Sequence, residues 1–193
     1  PLTVLRGPKP LGVTANFERA VRATSGELIA LSDQDDVWHE GRLALLVREF
    51  DDPAVLLVHT DARLVDSEGE PLGRSLFESL EVTREELGRE GAGDAYTVFL
   101  RRNLATGATM IFRNSLLDDA LPFPPGWVHD EWLAVVAAAR GGVRVLTEAT
   151  IDYRQHGANQ IGVAAPTLAR KVRRVLERRG ERNVVLASRF ATL

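Results

Sequence analysis

The stretch "ELIALSDQDDVW" (27–38) runs from an apolar segment straight into three carboxylates within four positions, Asp33, Asp35 and Asp36. The apolar half reads as a short buried strand. Carboxylates this close repel one another, and the arrangement works against folding unless a positive group lies among them. In open α/β sheets ligands bind outside the carboxyl ends of strands, which is where this strand delivers the cluster. Hard divalent cations take oxygen ligands, so the expected partner is a metal ion. The competing reading is a solvated loop whose aspartates cap the following helix.

Outward from this point the chain alternates between strand and helix patterns. Upstream, "LTVL" (2–5) is expected as a short strand, and "VTANFERAVRAT" (13–24) as a helix capped by Thr14 and ended by Gly26. Downstream, "EGRLALLVREF" (40–50) is an amphipathic helix, and "AVLLVHTDARLVD" (54–66) a β-branched strand that continues or bends near Thr60. A turn at 67–73, a short helix at 83–90, a helical "AYTVFLRRN" (95–103) and a strand "ATGATMIFR" (105–113) follow. Next come a short helix capped by Asn114, a long helix "HDEWLAVVAAARGG" (129–142), and strands at 143–147 and 150–156. Such alternation predicts an α/β layered fold with a largely parallel sheet. The run at 167–193 is a basic helical tail, set off by the loop at 156–166.

Two further segments carry chemistry. In "WVHDEW" (127–132) Asp130 and Glu131 open a helix between two tryptophans. The helix dipole favours carboxylates there, so capping explains them. A general base held against an aromatic wall explains them equally well. "YRQHGANQIG" (153–162) ends a strand in Arg154 and His156, a mix that binds a metal or a diphosphate, or simply forms a polar loop. His39, His59 and His129 show no metal spacing with one another.

The 193 residues suffice for one sizeable core, and a formal charge of −3 gives no global signal for nucleic acid, so no nucleic-acid partner is expected. The absence of cysteine excludes disulfides, thiolate zinc sites and a cysteine nucleophile. No apolar run approaches a membrane span. The Arg-rich stretch at 170–182 reads first as a solvated helix face and second as a contact for anionic lipid headgroups.

The cluster also resembles the first motif of haloacid-dehalogenase-type phosphohydrolases, with Asp33 as nucleophile and Asp35 as acid/base. That chemistry needs a later Lys and a second acidic pair. Only Lys171 and "LLDDAL" are available, so the match stops at one motif. Taken in order, "GVTANFERAVRATSGELIALSDQDDVW", "TGATMIFR", "WVHDEWLAVVAAARGG" and "IDYRQHGANQIG" resemble family 2 glycosyltransferases of the GT-A fold, nearest the bacterial rhamnosyltransferase-like group. The resemblance implies a Rossmann-like, mostly parallel sheet flanked by helices. It implies a partial catalytic core at 1–162 and a basic helical extension at 163–193. The family's opening strand and its base-binding "DDGS" segment have no counterpart. The core is therefore expected to be incomplete at its N-terminus and to bind nucleotide poorly by itself.

The resemblance also implies roles. Asp35, Asp33 and His156 would hold a divalent Mg or Mn ion. Asp33, Gly107, Arg154 and His156 would contact a nucleoside-diphosphate sugar donor. Asp130 would be the catalytic base of an inverting transfer, with Trp132 and Glu131 on the side of a glycan or lipid-linked acceptor. His129 stands where many relatives carry Glu. The expected setting is cytoplasmic, with peripheral contact at the inner membrane face through the basic tail. A phosphohydrolase is the alternative enzyme, and a non-catalytic relative that only binds a partner is the third class.

Overall fold

The structure, a computed structural model, describes residues 2–155. The expected loop and basic tail beyond that point, His156 and Lys171 among them, and with them the 162/163 boundary, lie outside the described residues.

The α/β expectation holds: a six-stranded sheet carries helices around it. Its strands are β1 (Leu28–Ala30), β2 (Val37–Trp38), β3 (Leu57–Val65), β4 (Pro71–Ser75), β5 (Ile111–Arg113) and β6 (Val143–Arg154), in the order β1-β5-β3-β6-β2, with β4 also paired to β3. The sheet is not largely parallel. β3 and β6 form the only parallel pair among the described strands, and every other pairing is antiparallel. The sequence pattern misleads because most of the helices between strands are too short to serve as crossovers. After β3 the chain turns straight back as a hairpin. Asp66 Oδ1 accepts the N–H groups of Glu68 and Glu70, and Gly69 takes φ 94.

The helices are α1 (Val13–Arg22), α2 (Arg42–Arg48), α3 (Leu76–Ser79), α4 (Arg84–Gly91), α5 (Ala95–Phe99), α6 (Leu117–Ala120) and α7 (His129–Ala139). Residues 2–5 form no strand and are exposed. Thr14 does not cap α1. Gly12 holds that position, and the Thr14 hydroxyl instead donates to Trp127 O. Asn114 caps nothing: its amide donates to Gly26 O, which ties the end of β5 to the start of β1. The two strands expected at 143–156 are one continuous β6. β3 continues past Thr60 to Val65, with a register shift against β6 between Thr60 and Asp61.

α7 is apolar nearly all round. Leu133, Ala134, Val135, Ala137 and Ala138 are all buried, so it is the central helix of the main core. Its small residues let α5, α6 and the sheet approach closely. Two polar features stiffen the edges. His59 on β3 bonds Glu90 on α4 at 2.8 Å, fully buried between the edges of Phe77 and Phe99. His39 bonds both Ala149 O and Asp152, which pins the chain after β2 onto β6.

The turn after α7 is tightest at Gly142, whose carbonyl accepts the N–H groups of Leu56 and Leu57. A Cβ there would lie 2.6 Å from Leu56 Cγ and 2.8 Å from Ala54 O. Gly142→Ala is expected to cost about 1–3 kcal/mol, read as a lower denaturant midpoint at unchanged m-value.

Candidate functional site

β1 ends at Ala30, and Leu31 stays in the core by donating its N–H to Met110 O. The chain then leaves the sheet for five residues (32–36) and re-enters at β2, where Val37 faces Asp152 and Trp38 faces Ile151. The acidic loop is therefore held at both ends by β-pairing. Between those anchors the end of β6 grips it. The Arg154 N–H donates to Asp36 Oδ1 at 2.9 Å, and its Nε donates to Asp35 O at 2.9 Å. Nη1 of the same side chain reaches Asp66 O and Ser67 O in the hairpin. Arg154, expected to contact a donor, thus acts here as a clamp on backbone carbonyls.

Asp130 enters from the other side, in the first turn of α7. Its Oδ2 accepts the Gly107 N–H at 3.0 Å and its Oδ1 accepts the Glu131 N–H at 2.7 Å. Gly107 begins a 3-10 turn (Gly107–Thr109), not the strand expected there, and lets the carboxylate approach its backbone. A Cβ on residue 107 would meet His129 Nε2 at 3.2 Å and Asp130 Cβ at 3.4 Å.

A cleft of about 550 Å³ joins these pieces. Asp33, Asp35, Asp36, Gly107, Asp130 and Arg154 all line it, although they come from segments up to 121 residues apart. Glu131 and Trp132 do not line it. The Trp132 ring packs against Trp127 in the core and its Nε1 donates to Ala120 O, so this side chain offers no acceptor platform. Asp118 and Asp119 are also away from the cleft, and Asp119 is bonded to Arg140. The second acidic pair of a phosphohydrolase is therefore not placed beside the first.

The electrostatics follow from crowding and burial. Burial raises the Asp33 carboxyl, and the charges of Asp35 and then Asp130 raise it further. Asp36 is pushed up to about 6, mainly by burial, against the opposing pull of the Arg154 N–H. Asp130 is also raised by burial, although the Gly107 and Glu131 N–H groups stabilise its charged form. The Tyr153 hydroxyl, buried beside all four aspartates, moves well upward.

Arg42 is the cation below this group. It is 2% exposed, lies 4.8 Å over the Trp38 ring, and donates to Thr150 Oγ1 and to Ala108 O in the turn at 107–109. Burial lowers it to about 10, while the Asp36 charge acts in the opposite sense. The sequence reading missed Arg42, Tyr153, Asn16 and Phe17. Arg42 looked like a solvated residue of an amphipathic helix, and only the Trp38 four positions earlier hinted otherwise.

Asp33, Asp35 and Asp36 offer oxygen atoms only, and Asp36 Oδ2 is buried with no hydrogen-bond partner among the described residues. This donor set fits a hard cation. Among the described residues no three acidic or imidazole side chains converge as a complete cage.

The sequence model for Glycosyl transferase family 2 matches residues 1–119. Among solved structures the chain is similar to S. aureus TarS 1–349 in complex with UDP-GlcNAc, at 17% identity and TM-score 0.47 over 74% of this chain. The chain spans 38% of that protein's length. No curated relative matches it.

An acid raised by folding stabilises the fold while it is protonated and loses that contribution as pH climbs through the folded value. For Asp36 the window runs from the ordinary carboxylate range to about 6. Without divalent ions, Asp36→Asn is expected to raise the melting temperature at pH 7.5 and to leave it unchanged at pH 4. Equal gains at both pH values would contradict the buried-charge account.

Proposed function

Since the chain belongs to glycosyl transferase family 2, we propose that its cleft transfers a hexose, with inversion, from a nucleoside-diphosphate sugar to a hydroxyl of a glycan or glycolipid acceptor. The observation that supports this most directly is the meeting of the acidic loop and Asp130 in one cleft. Diphosphate leaves as an anion and needs positive charge nearby, whereas an incoming hydroxyl needs a base on the opposite face of the sugar. A cleft with metal-type carboxylates on one wall and a single buried carboxylate on another meets both needs.

Asp33 and Asp35, with His156 from outside the described residues, would hold a divalent Mg or Mn ion. When bound, that ion supplies charge to the departing diphosphate. Asp130 performs the proton step. The acceptor oxygen forms a bond to the anomeric carbon as the bond from that carbon to the diphosphate oxygen breaks, with the electron pair leaving on phosphate. The hydroxyl proton passes to a carboxylate oxygen of Asp130. The Gly107 N–H fixes that carboxylate, and burial raises its proton affinity, which suits a base. Arg154 serves by holding the acidic loop in shape.

No helix among the described residues is long and apolar enough to cross a membrane. We place the enzyme at the cytoplasmic face of the inner membrane, where the basic run at 163–193 meets anionic lipid and a lipid-linked acceptor is within reach. Nucleotide and sugar identity are open to a screen of UDP- and dTDP-sugars with Mn²⁺ or Mg²⁺, reading released nucleoside diphosphate. Asp130→Asn in the active protein is expected to lower kcat by about 10²–10⁴ with donor affinity retained. Turnover at the wild-type rate in this variant would remove Asp130 as the base.

A further inference from the structure

His129 precedes the base and has no part in the mechanism above. Its ring lies flat on Phe17 of α1, with centroids 3.9 Å apart and planes within 10°. It is 5% exposed yet borders the cleft. Nε2 lies beside Gly107, close enough that a Cβ there would be 3.2 Å away. Nδ1 is buried and has no hydrogen-bond partner among the described residues.

A neutral imidazole carries one N–H and one bare lone pair. A proton on Nδ1 would be a buried donor with no acceptor, whereas a proton on Nε2 lies beside Gly107 at the cleft wall, where a substrate oxygen can meet it. The geometry therefore favours the Nε2–H tautomer. From this geometry we propose that His129 is a specificity-determining residue whose Nε2–H donates to a hydroxyl oxygen of the substrate lying over Gly107, with Phe17 clamping the ring. Burial depresses the imidazolium form to about 4, so the ring stays neutral near pH 7. This matters for its neighbour, because an imidazolium beside Asp130 would form an ion pair with it and lower its basicity. A glutamate at this position offers only acceptors when ionised, so the histidine reverses the polarity of what this wall reads. The inference rests on the transferase reading for its substrate, but not for its tautomer.

The test has two arms. Two-bond ¹H–¹⁵N correlation spectra of histidine-labelled protein at pH 7.5 report the tautomer directly, with His129 assigned by loss of its signal in His129→Gln. The Nε2–H pattern is expected, and an Nδ1–H or imidazolium pattern overturns the proposal whether or not any variant is active. In the second arm Gln, whose amide reaches the Nε2 position, is expected to keep kcat/KM within about threefold. Asn, which reaches only the Nδ1 position, is expected to lose about tenfold or more, as for one lost hydrogen bond. Melting temperature and affinity for free nucleoside diphosphate are expected to stay at the wild-type level. Equal loss in Gln and Asn overturns the donor role. Donor hydrolysis without acceptor locates the hydroxyl: a defect there assigns it to the transferred sugar, and a defect only with acceptor present assigns it to the acceptor. Absence of turnover by the wild-type protein with every nucleotide sugar would sink the transferase reading and leave the tautomer result standing.

Discussion

Burial of four carboxylates in one cleft, with like-charge repulsion added between neighbours, is the constraint around which this molecule is arranged. Burial raises the proton affinity of Asp33, Asp36 and Asp130, and like charge adds to it at Asp33 and Asp36. The fold opposes the repulsion with main-chain donors. Asp36 takes an N–H from β6, and Asp130 takes one from the turn at 107 and one from its own helix. Oriented amides of this kind stabilise charge without neutralising it, which leaves the carboxylates available to a cation or a proton.

Those donors are in place because of the sheet. The parallel β3–β6 pair is its longest ladder, and it carries β6 out to Arg154 at the edge of the cleft. The hairpin after β3 then gives Arg154 two carbonyls to hold, so the acidic loop, the hairpin and β6 form one unit. On the opposite wall, α7 is fixed by its buried apolar residues, and its first turn has little freedom to move Asp130. Arg42 connects the two walls from below, through Ala108 O on one side and the charge of Asp36 on the other.

Much of this was legible in the sequence because it depends on local pattern. The apolar run before Asp33, the dense apolar sequence of α7 and the acidic opening of that helix each mark an element and the chemistry at its end. Features decided by long-range pairing were not legible. The alternation of patterns suggested parallel crossovers, whereas β4 and β5 return antiparallel because short helices and turns leave the chain free to reverse. Trp132 looked suited to a binding wall beside the carboxylates, yet helical geometry turns it inward to Ala120 O. Arg154 lines the cleft as a donor contact would, and its second task, holding the carbonyls of Asp35, Asp66 and Ser67, was not legible because composition does not reveal which oxygens a guanidinium at a strand end meets.

The bond between Gly107 and Asp130 is made by the main chain on one side. No substitution at 107 other than proline can delete that amide. The side chains beside it are less free, because Ala108 and Thr109 are buried and the Thr109 hydroxyl ties the turn to Thr106 O. The aim of the carboxylate is thus inherited as a contour of the polypeptide, kept by a small residue at 107 and by the packing of the two that follow it.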